Sequence, residues 1–457
     1  MSRKLSSLSE LIRLCLAEEG VGRSEVMDNQ EIFDEEILFK GFVKWLFLAA
    51  VCGVVVGCVV GFFLIVLFRA IDFINALPDW RYVLIPIGLL ASLFSIKFFS
   101  PQAAGHGTDK VISAIHYKEA SVPFSVVPVK IISTLFTLAP GAVVGTEGPS
   151  VQIGAGLMSG LARLIKLTVK NRKKLVVCGV SAALSAVFGA PVAGAVFGVE
   201  VLFVGELFYP LLLPAFVSGV VAYMTCLKMG VPYASYNVFI PALTPEMLEW
   251  CLFAAICLGF VCIFHVKLIN GVFSVFKKMK IPDWGKSIIA SVLILAVVFI
   301  FGDSFLGMGE EGLNAVLSGK EVVWYAFILK SFLLGVTLSG GGSGGVLTPT
   351  FYIGGAAGAL FAQIFGLDVS FFAALGFVGC VAGAVNTPVA SVFLAVELFG
   401  ASIAPFAGLV CIVSYMISGA HSLYPTQILI RPKSDDFVLA EPHDKKSWKI
   451  KPVVEKK

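Results

Sequence analysis

The sequence predicts an all-α polytopic membrane protein built from two inverted-topology repeats of tilted and broken helices. Three observations carry that prediction. With 58% hydrophobic residues, only 14% charged ones and a mean hydropathy of +0.92 over 457 residues, the chain could not hide its apolar surface in one soluble core. Second, a pattern recurs: Gly145-Thr146-Glu147-Gly148-Pro149 is answered by Gly342-Ser343-Gly344-Gly345-Val346, Pro191-Val192-Ala193 by Pro388-Val389-Ala390, and Glu200 by Glu397, each 197 residues on. Third, glycine and proline cut many apolar stretches to about half of the roughly 20 residues that a perpendicular span needs. Duplicated halves with interrupted segments place an ion or substrate site where broken helices meet near the bilayer midplane.

Residues 1–39 carry Glu10, Glu18, Glu19, Asp28, Asp34, Glu35 and Glu36, which excludes the basic-then-apolar layout of a cleaved signal peptide. They read as a cytoplasmic segment in which Leu5, Leu8, Leu11, Ile12, Leu14 and Leu16 follow helical spacing. The first membrane repeat is expected over 40–229, with apolar stretches near 42–68, 82–99, 123–144 and 175–229. A polar linker follows at 230–247. The second repeat takes 248–432, with stretches near 248–275, 286–302, 322–338 and 370–420. Residues 433–457 form a short Lys-rich cytoplasmic tail with no room for a folded regulatory domain. The basic loops 166–174 and 277–286 are placed inside by the positive-inside rule.

The +4 charge fits basic loops and tails rather than nucleic-acid binding, since no run of Lys and Arg stands beside stacking aromatics. Ten cysteines are scattered singly with neither metal-ligand nor disulfide-framework spacing, so no metal and no cofactor is expected.

Three Gly-rich segments each open a helix: Gly105-His106-Gly107-Thr108-Asp109, Gly145 to Pro149, and Ser339 to Pro349. A helix N-terminus offers unpaired amides and about half a positive charge, so converging N-termini make an anion site without a full cation. Glycine lets the backbone approach the ion.

At these segments the chain resembles the CLC family of chloride channels and chloride/proton antiporters. Gly145 to Gly154 (GTEGPSVQIG) matches the family's central signature and Gly344 to Pro349 (GGVLTP) its third, and Pro128-Val129-Lys130, Ala190 to Gly194 and Ser422-Leu423-Tyr424 extend the match. The resemblance implies a homodimer in a lipid bilayer, each subunit with its own pathway for chloride and other small anions. It implies that Glu147 is the gate, its carboxylate occupying an anion position when ionised and leaving it when protonated. It further implies anion contacts from His106, Gly107, Thr146, Glu147, Gly148, Val346, Leu347 and Tyr424, with chloride as ligand. The lack of a large regulatory domain points, by family analogy, to a prokaryotic plasma membrane with both termini cytoplasmic.

Two departures stand out. His106 occupies the place of a serine, and Thr108-Asp109 that of an apolar residue and proline. His106 is expected to pack while the backbone amides bind, with Thr108 or Asp109 as N-cap. Pro149, and the absence of the rearranged signatures of the fluoride-exporting branch, argue against fluoride as the main substrate. Second, Val201 stands where the antiporters carry an internal proton-transferring glutamate, which tilts the reading toward passive conduction. Glu200 and Glu206 are the candidate substitutes for proton coupling, although the pairing of Glu200 with Glu397 favours a structural role at helix ends. The alternative on the same fold is a chloride/proton antiporter. A remote alternative is an intramembrane serine protease, because Gly341-Gly342-Ser343-Gly344 fits a short rhomboid-like pattern with His421 as the available base. That reading leaves the duplication unexplained, and no enzyme activity is expected.

Overall fold

The computed structural model describes residues 23–234, 236–430, 433, 437–440 and 449–452, with side chains from residue 39 to 430 (Ser235 apart) and at Lys433. The chain divides into two units, Met1–Leu48 and Ala49–Lys457. The amphipathic helix expected around Leu5 to Leu16 lies outside the described residues. From Arg23 the chain is helical: α1, Arg23–Asn75, runs without a break through residue 39, so the end expected for the N-terminal segment falls inside a helix. In the tail, β3 (Phe437–Ala440) pairs antiparallel with β4 (Lys449–Pro452), after the short parallel pair β1 (Phe203–Val204) and β2 (Ile428–Leu429).

After α1 come α2 (Leu84–Phe99), α3 (Thr108–Tyr117), α4 (Val126–Leu138), α5 (Glu147–Leu164), α6 (Val169–Phe188), α7 (Pro191–Glu200) and α8 (Tyr209–Lys228). The order repeats with α9 (Pro245–Lys278), α10 (Asp283–Phe301), α11 (Glu310–Leu317), α12 (Ala326–Ser339), α13 (Leu347–Phe365), α14 (Val369–Val385), α15 (Pro388–Phe399) and α16 (Ala404–Ser418). Among the described residues six helices are long and apolar enough to cross a bilayer, whereas α4, α7, α12, α14 and α15 are shorter apolar helices. Broken segments of this kind survive at membrane depth only when protein or a watery cavity satisfies their backbone.

Local signals explain the breaks. Proline opens α7, α9 and α15, where a missing amide costs nothing. Thr244 and Asp368 cap their helices by accepting from Met247 N and Phe371 N. The left-handed residues Gly189 (φ 66°) and Asn386 (φ 59°) end α6 and α14 and turn the chain into the half-helices that follow.

The register of the duplication differs from the uniform 197 residues read from sequence. Gly145 and Gly345, 200 apart, donate to each other's carbonyls at 2.8 and 2.6 Å. Lys130 and Lys330 obey the same offset, as do the first residues of α5 and α13 and of α6 and α14. The change falls inside the early turns of α6. There Gly154 packs on Gly179, as Gly354 does on Gly376, so closely that a Cβ at either would come within 2.3 or 2.2 Å of the partner carbonyl oxygen. From Gly179 and Gly376 onward the offset is 197, covering Pro191 with Pro388 and Glu200 with Glu397. A run of glycines matches itself in several registers; hydrogen bonds select one.

Candidate functional site

Two helix N-termini are brought face to face by reciprocal bonds. Besides the Gly145–Gly345 pair, Thr137 Oγ1 accepts from Ser343 N (2.9 Å) and Thr337 Oγ1 from Val143 N (3.2 Å). These bonds aim the first turns of α5 and α13 at one point, where their orphan amides favour negative charge.

Glu147, the first residue of α5, is at that point and only 1% exposed. Its Oε1 accepts from the Thr348 hydroxyl, and the amides of Glu147 and Thr348 face the carboxylate. Oε2 is buried without a hydrogen-bond partner. It lies against Gly145 and Gly345, where a Cβ would come within 2.4 and 2.6 Å of it, so only glycine leaves room for the carboxylate. Glu147 lines a cavity of about 100 Å³ together with Thr146, Thr348, Tyr233, Tyr236 and Glu310. The segment expected as a mere linker thus supplies part of the wall.

The first Gly-rich segment closes on the same point. Buried Lys130 donates to the carbonyls of Ala103 (3.0 Å) and Gly105 (2.6 Å), fixing the loop ahead of α3. Gly107 is left-handed (φ 93°), and Gly148 lies between the His106 carbonyl and Gly345 Cα. A Cβ on Gly148 would fall 1.7 Å from that carbonyl oxygen. The His106 ring packs on Tyr424 with centroids 5.5 Å apart, and its Nδ1 is buried without a partner. Val346 and Leu347 are buried at the start of α13.

Asp109 corrects one expectation. The N-cap of α3 is Gly107, without a side-chain bond, and Asp109 instead accepts from Thr426 N (2.9 Å) and the Thr426 hydroxyl (2.6 Å). It ties the Tyr424 segment to the first signature. Ser422 Oγ accepts from Tyr424 N and donates to Gln427, which bonds the carbonyls of Val201 and Val385. Tyr424, 1% exposed, has Thr108 as its side-chain partner and closes a second cavity of about 340 Å³ that also contains Asn270, Asn386, His421 and Lys433. The two cavities share no lining residue. Thr348 and the Asp109–Thr426 tie escaped the sequence reading; Thr348 stood in the third signature but was read only for its backbone.

The remaining candidates stand outside the lining of the Glu147 cavity. Val201 is fully buried. Glu200 accepts from Val389 N (3.0 Å) and Ala390 N (2.7 Å), and Glu397 from Val192 N (2.9 Å) and Ala193 N (2.7 Å), so each carboxylate caps the other half's helix. Glu206 is exposed and lines neither cavity. Ser343 is bonded to Ser133 and Thr134, whereas His421 bonds the Ser418 carbonyl, so the serine and histidine named for a protease are not paired with each other.

Comparison with known proteins identifies the family and the fold. A family model described as "Voltage gated chloride channel" matches residues 87–419. The "Chloride/fluoride channel protein" of Pseudomonas syringae pv. tomato is 32% identical over 407 residues, 85% of this chain and 87% of that protein. The "H(+)/Cl(-) exchange transporter ClcA" of Yersinia pseudotuberculosis is 25% identical over 385 residues, covering 76% and 79%. The crystal structure of a CLC-type fluoride/proton antiporter superposes with a TM-score of 0.80 at 26% identity, over 85% of this chain and 98% of that one. A slow cyanobacterial Cl−/H+ antiporter shares the fold at a TM-score of 0.70 and 19% identity, over 82% and 94%. With the signatures, the paired half-helices and the matched residues in agreement, the chain is an integral membrane protein of the voltage-gated chloride channel (CLC) family of anion transporters.

Proposed function

We propose that the chain conducts chloride and related small anions passively through a pathway gated by Glu147, and that it does so without enzymatic chemistry or a cofactor. The observation that carries this reading is the buried Glu147 carboxylate. It accepts from the Thr348 hydroxyl and faces the amides of Glu147 and Thr348 that an anion would otherwise meet, between one cavity lined by Glu147 and another lined by Tyr424. An ionised glutamate there competes with a permeant anion, and its protonation removes the competitor. Passive conduction is favoured because the described lining of the Tyr424 cavity contains no carboxylate, Val201 cannot carry a proton, and Glu200 is engaged as a cap. By the same resemblance we infer a homodimer, placed in a prokaryotic plasma membrane with cytoplasmic termini.

A second reading is proton-coupled exchange of fluoride. Its coupling is favoured by the fluoride/proton antiporter at a TM-score of 0.80, and its substrate, which the sequence argued against, also by the 32% identical chloride/fluoride channel protein. One experiment separates the two. Liposomes holding purified protein are loaded with chloride or fluoride, and efflux and external pH are recorded together. Passive conduction predicts efflux only when an ionophore balances charge, with no proton uptake; stoichiometric uptake overturns it. Glu147→Gln, which mimics the protonated gate, is expected to raise flux severalfold and remove its pH dependence, and an unchanged response would remove Glu147 from the mechanism.

A further inference from the structure

Glu310 has no role so far beyond the wall of the Glu147 cavity, yet it stands where two cavities meet. It opens α11 behind the left-handed Gly309 (φ 94°). Among the described residues it alone lines both the Glu147 cavity and a polar cavity of about 290 Å³ bounded by Arg81, Tyr82, Asp303 and Glu311. The charged and titratable groups around it are Glu147, Tyr233 and Tyr236 on one side, and Arg81, Tyr82, Asp303 and Glu311 on the other. Lys330 and Tyr352 lie beneath the Gly309 turn. Both cations are engaged elsewhere: Arg81 with Asp303 at 2.7 Å, and Lys330 with the carbonyls of Phe305, Leu306 and Gly307. Glu310 forms no ion pair among the described residues.

The smaller cavity is also lined by Glu147, whose Oε2 is buried and unpartnered. Between the two carboxylates the lining is otherwise aromatic, aliphatic or hydroxyl-bearing, and about 100 Å³ holds several waters. We propose that Glu310 is the proton relay through which Glu147 exchanges protons with solution on the Arg81–Asp303 side. A proton from water in the polar cavity binds a Glu310 oxygen, is released to water in the smaller cavity, and is taken up by Glu147; the return path reverses these steps. Only O–H bonds are made and broken. The inference rests on Glu147 being the gate.

The test records anion flux while pH is stepped on each side of the membrane in turn. Glu310→Gln should slow the response to a step from one side by about tenfold. It should also move the midpoint of acid activation about one pH unit toward acid, because an ionised neighbour no longer favours protonated Glu147. Glu310→Asp keeps a proton-carrying group and should respond at an intermediate rate, and Glu246→Gln, at an exposed residue that lines neither cavity, should behave as wild type. Wild-type kinetics and midpoint in Glu310→Gln would overturn the relay while leaving the gate intact, as would a uniform loss of flux at every pH with an unslowed response. Should Glu310→Gln fail to assemble, a wild-type rate in Glu310→Asp overturns the relay. A pH response that survives Glu147→Gln would remove gate and relay together.

Discussion

The first turns of α5 and α13 share a backbone and differ in chemistry. Both follow a glycine in the mutual Gly145–Gly345 bridge, and both carry proline at the third helical position, Pro149 and Pro349. Both are steadied by a threonine from the preceding helix of the other repeat, and behind each a buried lysine gathers loop carbonyls. At the first helical position, however, one has Glu147 and the other Leu347; at the second, Gly148 faces Thr348. The symmetric parts build the scaffold. Chemistry enters where the symmetry is broken: one half supplies a buried carboxylate, and the other the hydroxyl that donates to it.

Substitutions can press on either side of that contrast. The largest effect is expected from Gly148→Ala, which drives a methyl into the His106 carbonyl. Overpacking against backbone costs about 1–3 kcal/mol or more, and anion affinity measured by calorimetry should be lost along with thermal stability. A well-folded, anion-binding alanine variant would mean that the three segments do not close on one point. Next come Glu200→Gln and Glu397→Gln, each of which weakens two charge-assisted bonds to backbone amides. Each should cost roughly 1–3 kcal/mol, seen as similar falls in melting temperature, with the pH response of flux unaffected; a large inequality would break the symmetry of the scaffold.

Thr348→Val removes the hydroxyl that donates to Glu147, a bond worth roughly 1.5–3 kcal/mol when its acceptor is ionised. Loss of that donor disfavours the ionised gate, so acid activation of flux should begin at higher pH, opposite in sign to the change expected of Glu310→Gln. A shift toward acid would put the Thr348 contact outside the gate. The smallest effect is expected from His106→Ser, whose ring only packs on Tyr424; the pH profile should keep its midpoint, and a clear shift would make His106 a titrating ligand.

Much of this was legible in the chain because the same features carry fold and function. Proline at helix starts, the spaced glycines and the two glutamates Glu200 and Glu397 announce half-helices and their partnership. What stayed hidden depends on which backbone groups meet. The offset of 200 at Gly145 and Gly345 is set by hydrogen bonds that a run of six glycines and serines from Gly340 to Gly345 cannot express. Asp109 looked like an N-cap because acidic residues usually are when they open a helix; its partner, Thr426, lies 317 residues away. The cavity wall formed by Val231 to Ala234 and Tyr236 was equally invisible, since a polar, Pro-containing stretch carries no sign of what it will cover.

The exchange of caps between Glu200 and Glu397 has a consequence for biosynthesis. As the first repeat leaves the ribosome, the amides of Val192 and Ala193 and the carboxylate of Glu200 all await partners that emerge about two hundred residues later. Unpaired polar groups are costly in hydrocarbon. The first repeat therefore enters the membrane unlatched, and the chain locks only when the last of its half-helices arrives.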